Sequence, residues 1–334
     1  MNKQSALILM GCMLLAIGGL SCKKKAPQSQ WTDTLKTGAI RIAADTDFRH
    51  WLDTEISSFE AHNEYQAALF PTYTDEADAI RLLTEDSVRV AIVTRDLATS
   101  ERAKLTEKHL DAKKHLIAFD GIAVITNREN TDSILSIATL QKILKGEITD
   151  WSQIRTDATQ KSTLGTIRVL FDNKKSGIWR YAVDSIARTK TLSPNIYPLN
   201  GSAELIEKIE QTPNALGFIS ANLVSGETGT PYLQRHATIR LTRLSRDEQP
   251  TLANSYLPFA GDIQAENYPL WRPVYAVLSD PKMGLSSGFS IFLAQAIGQK
   301  IALKSGFLPV TDAQNMDVLI KNEYPAGKKS TKMK

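Results

Sequence analysis

The stretch Ile167 to Tyr181, IRVLFDNKKSGIWRY, holds the residues best placed for chemistry. An apolar run (Ile167, Val169, Leu170, Phe171) reads as a buried strand. Asp172, Asn173 and Lys174 interrupt it, and Ser176 and Gly177 open a helical segment carrying Trp179, Tyr181, Val183 and Ile186. A helix start presents amides with no internal acceptor and partial positive charge, so it can seat an anion. Lys174, Lys175 and Arg180 add full charges. Equally, Ser176 reads as an ordinary N-cap beside a solvated basic loop.

The surrounding elements alternate strand and helix. Gly38 to Ala44 is a strand broken by Asp45-Thr46-Asp47, after which Phe48, Trp51, Leu52, Ile56 and Phe59 fall at helical spacing. Ala67 to Phe70 leads to Thr74-Asp75-Glu76 and a helix face of Ala77, Ile80, Leu82 and Leu83. Val88 to Val93 leads to Thr94-Arg95-Asp96 and a helix start at Thr99-Ser100-Glu101. Three such units predict a mainly parallel sheet with helices on its faces and ligands beyond the carboxyl ends of the strands. Further along, His115 to Thr126 is a strand long enough to cross between lobes. Helices are expected at Thr139 to Gly146 and Ser202 to Gln211, strands at Ala215 to Ser220 and Val274 to Leu278, and one long helix from Leu285 to Ile301. Val224 to Asn267 resists assignment, and the chain after Asn322 reads as disordered.

Composition narrows the classes. The chain has 334 residues, 42% hydrophobic and 23% charged, enough for one large or two ordinary domains. Its formal charge of +4 comes from eight lysines (Lys3, Lys23, Lys24, Lys25, Lys328, Lys329, Lys332 and Lys334) in terminal stretches without acids. Removing these eight from 40 basic residues leaves 32 against 36 acidic ones, a net of −4. No basic face for nucleic acid is implied. Residues 1–21 read as an export signal, with Lys3 before an apolar run from Ala6 to Leu20. Gly19-Leu20-Ser21-Cys22 resembles a bacterial lipoprotein box, which implies lipidation of Cys22 and a tether over 22–35. Cys12 and Cys22 are the only cysteines, so the mature chain has no internal disulfide, cysteine metal site or internal thiol nucleophile. An enzyme is disfavoured: Ser176 lacks a G-x-S-x-G elbow, and His50, His62, His109, His115 and His236 lack metal spacing. No cofactor or metal is expected.

Several segments together resemble the phosphate-binding proteins of bacterial phosphate ABC transporters. They are DGIAVITNREN (Asp120 to Asn130), LQKILKGEITDW (Leu140 to Trp151), Ser176-Gly177, NALGFIS (Asn214 to Ser220), YPLWRPVYAVL (Tyr268 to Leu278) and GFSIFLAQAIGQKIALKSGFLPV (Gly288 to Val310). The resemblance implies an α/β, two-lobed type II periplasmic binding protein fold with two hinge crossings and a ligand cleft that closes. Lobe 1 would comprise 36–116 with 276–323, lobe 2 would be 117–275, and 324–334 would be a basic tail.

It also implies the ligand set. The first lobe would offer a hydroxyl and amides from Asp45, Thr46 and Phe48, with a second hydroxyl from Thr74. The second lobe's pattern is Arg, any residue, Asp, any residue, Ser-Gly-Thr. Here Asp172, Lys174 and Ile178 replace the Arg, the Asp and the Thr, while Ser176 and Gly177 remain. Arg95 or Arg180 could restore a guanidinium, with Lys174 and Lys175 in support. A carboxylate must accept the proton of protonated phosphate, and Asp45, Asp47, Asp75 and Asp172 are candidates. Each is equally an Asp helix cap, and Arg95 equally an ion pair. The reading is a monomeric, exported, lipid-anchored solute-binding protein on the periplasmic side of the cell envelope, delivering inorganic phosphate or a similar oxyanion to an ABC permease. The changed loop leaves open a drifted cleft serving another solute, a sensor or an adaptor.

Overall fold

Twelve strands and nine α-helices are found among the described residues of a computed structural model, which cover 32–62, 65–154, 162–227 and 234–311. The strands are β1 (Thr37–Asp45), β2 (Gln66–Thr74), β3 (Val90–Val93), β4 (Lys113–Asn127), β5 (Ile134–Ser136), β6 (Arg168–Phe171), β7 (Ile196–Pro198), β8 (Ala215–Ser220), β9 (Ile239–Leu241), β10 (Arg243–Ser245), β11 (Trp271–Leu278) and β12 (Leu308–Pro309). The helices are α1 (Arg49–Glu60), α2 (Glu76–Thr84), α3 (Thr99–Thr106), α4 (Ile137–Lys145), α5 (Gly177–Tyr181), α6 (Ser202–Gln211), α7 (Ala260–Gln264), α8 (Leu285–Ala294) and α9 (Ala296–Lys304). The leader, Cys22 and the basic tail lie outside the described residues.

One sheet runs β2-β1-β3-β11-β4-β8-β6-β7, with β12 and β9 also on β4. Its flanks are parallel, as the repeated strand–helix units predict: β1 pairs with β2 and β3, and β6 with β7 and β8. Its centre is antiparallel, because β4 and β11 run against each other and against their neighbours. The all-buried runs of β3 and β8 are those of strands covered on both faces.

β4 changes partner part-way. Lys113 to Gly121 pair with β11, and Ile122 to Thr126 pair with β8. The core divides at the same place. Ile117 and Ala118 pack with Trp51, Phe59, Val274 and Phe289, whereas Ile122 and Val124 pack with Trp151, Phe171, Phe218 and Tyr268. Each fully buried aromatic or aliphatic side chain contributes about 1.5–3 kcal/mol.

The expected helix from Leu285 to Ile301 is two helices. Gln295 adopts extended backbone (φ −91°, ψ 172°), and α9 turns back onto α8 at Gly298, where a Cβ would lie 2.5 Å from the Phe292 carbonyl oxygen. The apolar periodicity continues through the break and so masks it. The Gln299 amide, fully buried, donates to the Ile117 and Leu293 carbonyls and accepts from the Val310 amide. The unassigned stretch contributes β9, β10 and α7, with β10 parallel to β5. At the other helices the sequence signals act as expected: Ser136 caps α4, and Gly146, at φ +79°, ends it.

Candidate functional site

The turns after β1, β2 and β3 leave the sheet on one edge, because those strands are parallel. The turn after β6 and the start of α6 meet them. Asn173 donates to Asp75 at 2.7 Å, Ser202 to Asp47 at 2.6 Å, and Arg180 Nε to Glu76 at 2.8 Å, while the Ala77 amide donates to the Lys175 carbonyl at 3.3 Å. The two halves of the molecule are therefore in contact along a polar seam.

At the centre of that seam is Arg272, a residue absent from the expected ligand set. It stands on β11, where chain and core cross between the halves, and is 1% exposed. Its Nε donates to Asp120 Oδ2 at 2.9 Å, and Nη2 lies 2.9 Å from the same oxygen but off the hydrogen-bond direction. Neither Nη atom has a hydrogen-bond partner. The guanidinium lies 5.6 Å from the centre of the Phe48 ring. Asp120 is itself fully buried on β4 and accepts from Ser220 at 2.7 Å. Beyond their place in two of the segments quoted for the resemblance, an arginine and an aspartate inside apolar strands are the only sequence signal either gives.

Gly177 fixes the approach of the second half. A Cβ there would lie 2.6 Å from Arg272 Nη1, 2.7 Å from Thr94 Oγ1 and 2.8 Å from Glu76 Oε2, so three functional groups converge on its Cα. Ser176 acts as the N-cap: its hydroxyl accepts from the Trp179 amide at 3.0 Å and donates to Asp172 at 2.6 Å. The helix it starts is short, passing after Tyr181 into a wider π turn over Ala182–Ala187, which limits its dipole.

The expected residues divide into those brought to the seam and those held elsewhere. Asp45, Asp172, Ser176, Gly177 and Arg180 are there, with Asp47 and Phe48. The Thr46 hydroxyl is directed to the Thr74 carbonyl at 3.4 Å and Thr46 is exposed, so this pair ties β1 to β2 at the rim. Lys174 is exposed, and Lys175, also exposed, reaches Asp78 at 3.1 Å. Arg95, expected as a charge clamp, pairs with a neighbouring acid. Both of its terminal nitrogens bond Glu101, at 2.7 and 2.8 Å, which anchors the start of α3. The Arg180 guanidinium is bound to Glu76 and to the Thr94 hydroxyl at 2.9 Å. The sequence reading missed Arg272, Asp120, Thr94 and Glu76.

Charge in the seam is unbalanced, with Asp45, Asp47, Asp172, Asp120 and Glu76 facing Arg272 and Arg180. Burial, reinforced by Asp47, pushes the Asp45 carboxyl up to about 8. Burial with the charge of Asp172 raises Asp47 to about 7, and burial with the charge of Asp45 raises Asp172 to about 7. Burial also raises Asp120 despite Arg272. Glu76 goes the other way: burial opposes its charge, but Arg180 and Thr94 hold it below the usual range. Asp45 Oδ2 and Asp47 Oδ2 are buried without a hydrogen-bond partner. Among the described residues no grouping of His, Cys, Asp and Glu has the arrangement to hold a metal ion.

The family model described as PBP superfamily domain matches residues 28–296. The chain belongs to the PBP superfamily. This PBP protein is 26% identical over 229 residues to the phosphate-binding protein PstS of Borreliella burgdorferi, covering 66% of this chain and 72% of that one. It is 25% identical over 131 residues to PstS 2 of Streptococcus pneumoniae, where the match spans 39% of this chain and only 42% of the relative. In fold it is similar to a Clostridium perfringens protein of the phosphate ABC transporter substrate-binding class, solved with bound phosphate (TM-score 0.66, 20% identity, 82% of this chain and 100% of that one). An ABC-type phosphate transport receptor from Vibrio cholerae is also similar (TM-score 0.59, 21% identity, 81% and 100%). These likenesses show the PBP fold, the mixed α/β sheet flanked by helices. No helix among the described residues is long and apolar enough to cross a membrane.

Proposed function

We propose that this PBP protein is the solute-binding component of an ABC importer and takes inorganic phosphate, or a closely related oxyanion, between its two halves. The observation that carries the reading is the set of unmatched groups in the seam. The Arg272 Nη atoms are donors without acceptors, and Asp45 Oδ2 and Asp47 Oδ2 are buried oxygens without a partner, which accept when the carboxyls are ionised. A protonated oxyanion presents acceptor oxygens and a P–OH donor together, and so answers both. An unmatched buried polar group costs about 1–3 kcal/mol, which is the basis of preference over a fully ionised anion such as sulfate. The named relatives support phosphate as the solute. Binding is non-covalent.

Closure is proposed to bend β4 near Gly121 and the return crossing near Trp271, where the core changes sides. Lobe 1 would then be 36–116 with 276–323, extended by the first part of β4 and the β11 residues paired with it, and lobe 2 the chain between. Export through residues 1–21, lipidation of Cys22, a tether over 22–35, a monomeric state and docking on a permease complete the proposal.

The excess of acids favours a second reading, in which the cleft has drifted to a solute carrying a cationic group. Thermal unfolding of ligand-stripped protein with phosphate, arsenate, sulfate, molybdate and a panel of zwitterionic amines separates the two. A ligand at a hundred times its dissociation constant adds about 2.7 kcal/mol of stability. Stabilisation by phosphate and arsenate but not sulfate supports the proposal; stabilisation by amines alone replaces it.

A further inference from the structure

We infer that the Glu76 carboxylate is a tethered anion seated at the oxyanion position, where it holds the two halves together before any ligand arrives and must be displaced for one to bind. Where it concerns ligand affinity, this rests on the phosphate reading above; where it concerns the ligand-free protein, it does not.

Glu76 is the first residue of α2, on one side of the seam, and is 2% exposed. Its Oε2 accepts from the Thr94 amide at 2.7 Å and from the Thr94 hydroxyl. Its Oε1 accepts from Arg180 Nε at 2.8 Å, across the seam. Oε2 also lies beside the point on Gly177 that Arg272 Nη1 approaches. One carboxylate thus gathers a backbone amide, a hydroxyl and a guanidinium, with a second guanidinium adjacent. That is the donor set a tetrahedral oxyanion needs, drawn from both halves of the molecule.

The charges agree with this assignment. Of the seam carboxylates, Asp45, Asp47 and Asp172 have environments that favour the protonated form and Asp120 is already paired with Arg272, whereas Glu76 is held as an anion. The seam stabilises one anion at this position, and the chain supplies it. The supply is intramolecular, so its effective concentration is high and an external anion must compete with it. Unlike the Arg81–Asp78 and Arg81–Glu85 pairs farther along the same helix, which are solvent-exposed, the Glu76–Arg180 pair joins elements distant in sequence.

The test compares Glu76→Gln with wild type, and with Glu85→Gln as a surface control for the charge change. Hydrogen–deuterium exchange of the ligand-free proteins is followed by mass spectrometry over residues 172–180, and phosphate affinity by titration calorimetry. Loss of the anion should speed exchange in 172–180 at least tenfold and tighten phosphate binding at least tenfold; the control should change neither. Should Glu76→Gln fail to fold, Arg180→Gln removes the same bridge from the other side, and the same acceleration is expected. Exchange changed by less than twofold, or phosphate bound more weakly by Glu76→Gln than by wild type, overturns the inference. In the second case Glu76 is itself a ligand contact. Accelerated exchange with no phosphate binding by any of the proteins leaves the tether standing and removes phosphate as the solute.

Discussion

Lowering the pH from 8 to 6 should make the ligand-free protein more stable. Asp45, Asp47 and Asp172 have carboxyls raised to about 8, 7 and 7, chiefly by burial and then by one another's charge. In the unfolded chain each sits at an ordinary 3.8, so it is ionised across this range. The folded state therefore takes up protons that the unfolded state does not, and stability rises as pH falls. It is lost progressively from 3.8 up to about 8, and is fully present only below the unfolded value. Integrated between pH 8 and 6 over the three groups, the gain is on the order of 5 kcal/mol. Urea unfolding followed by tryptophan fluorescence measures it, with the midpoint expected to rise by roughly 1.5 M. Asp45→Asn should raise the midpoint at pH 8 and flatten the dependence, since it removes the most raised group and the charge acting on Asp172. A midpoint that is level or falls between pH 8 and 6, or an Asp45→Asn slope equal to that of wild type, refutes the account.

Other outcomes follow from the same geometry. Arg272→Met leaves Asp120 buried without its cation and should cost about 3–5 kcal/mol in urea unfolding, much of it recovered when Asp120→Leu is added. Gly177→Ala places a methyl within 3 Å of Arg272, Thr94 and Glu76, so it should destabilise the protein by about 1–3 kcal/mol in the same assay and lower ligand affinity. Arg95→Gln should leave affinity within about twofold in calorimetry, because its guanidinium belongs to Glu101, and should cost about 1 kcal/mol of stability. Apart from the geometry, the proposed lipidation predicts that Cys22→Ser shifts the protein from membranes into the soluble fraction, as read by fractionation and blotting.

How far the sequence was legible depended on distance along the chain. The strand-and-turn units over 37–96, the crossing strand and the Ser176 cap were readable because each signal lies within a dozen residues: an apolar run, a polar break, a cap. The heart of the site was not. Asp120 and Arg272 are 152 residues apart and become partners only when the sheet assembles, so each alone looks like a stray charge in a strand. Glu76 reads as an ordinary first-turn acid, and only its bridge to Arg180, 104 residues on, changes its meaning. Arg95 lies in the expected loop after β3, and its guanidinium pairs with a capping glutamate six residues on, a local contact that the strand-and-turn pattern does not announce. The two helices after Gly284 merged for a related reason, since α9 needs α8 as a packing partner and the bend leaves no mark on apolar spacing.

The antiparallel centre of the sheet has a mechanical consequence. β4 and β11 are hydrogen-bonded side by side from Leu278–Lys113 to Trp271–Gly121, with one irregularity at Val274/Tyr275. Two strands joined as a ribbon resist shear and in-plane bending, yet flex across the thin direction of the sheet. If the halves close as proposed, that movement is channelled toward a single axis, and side chains more than a hundred residues apart would return to register on closing. A single crossing strand would have left the swivel about its own length unrestrained.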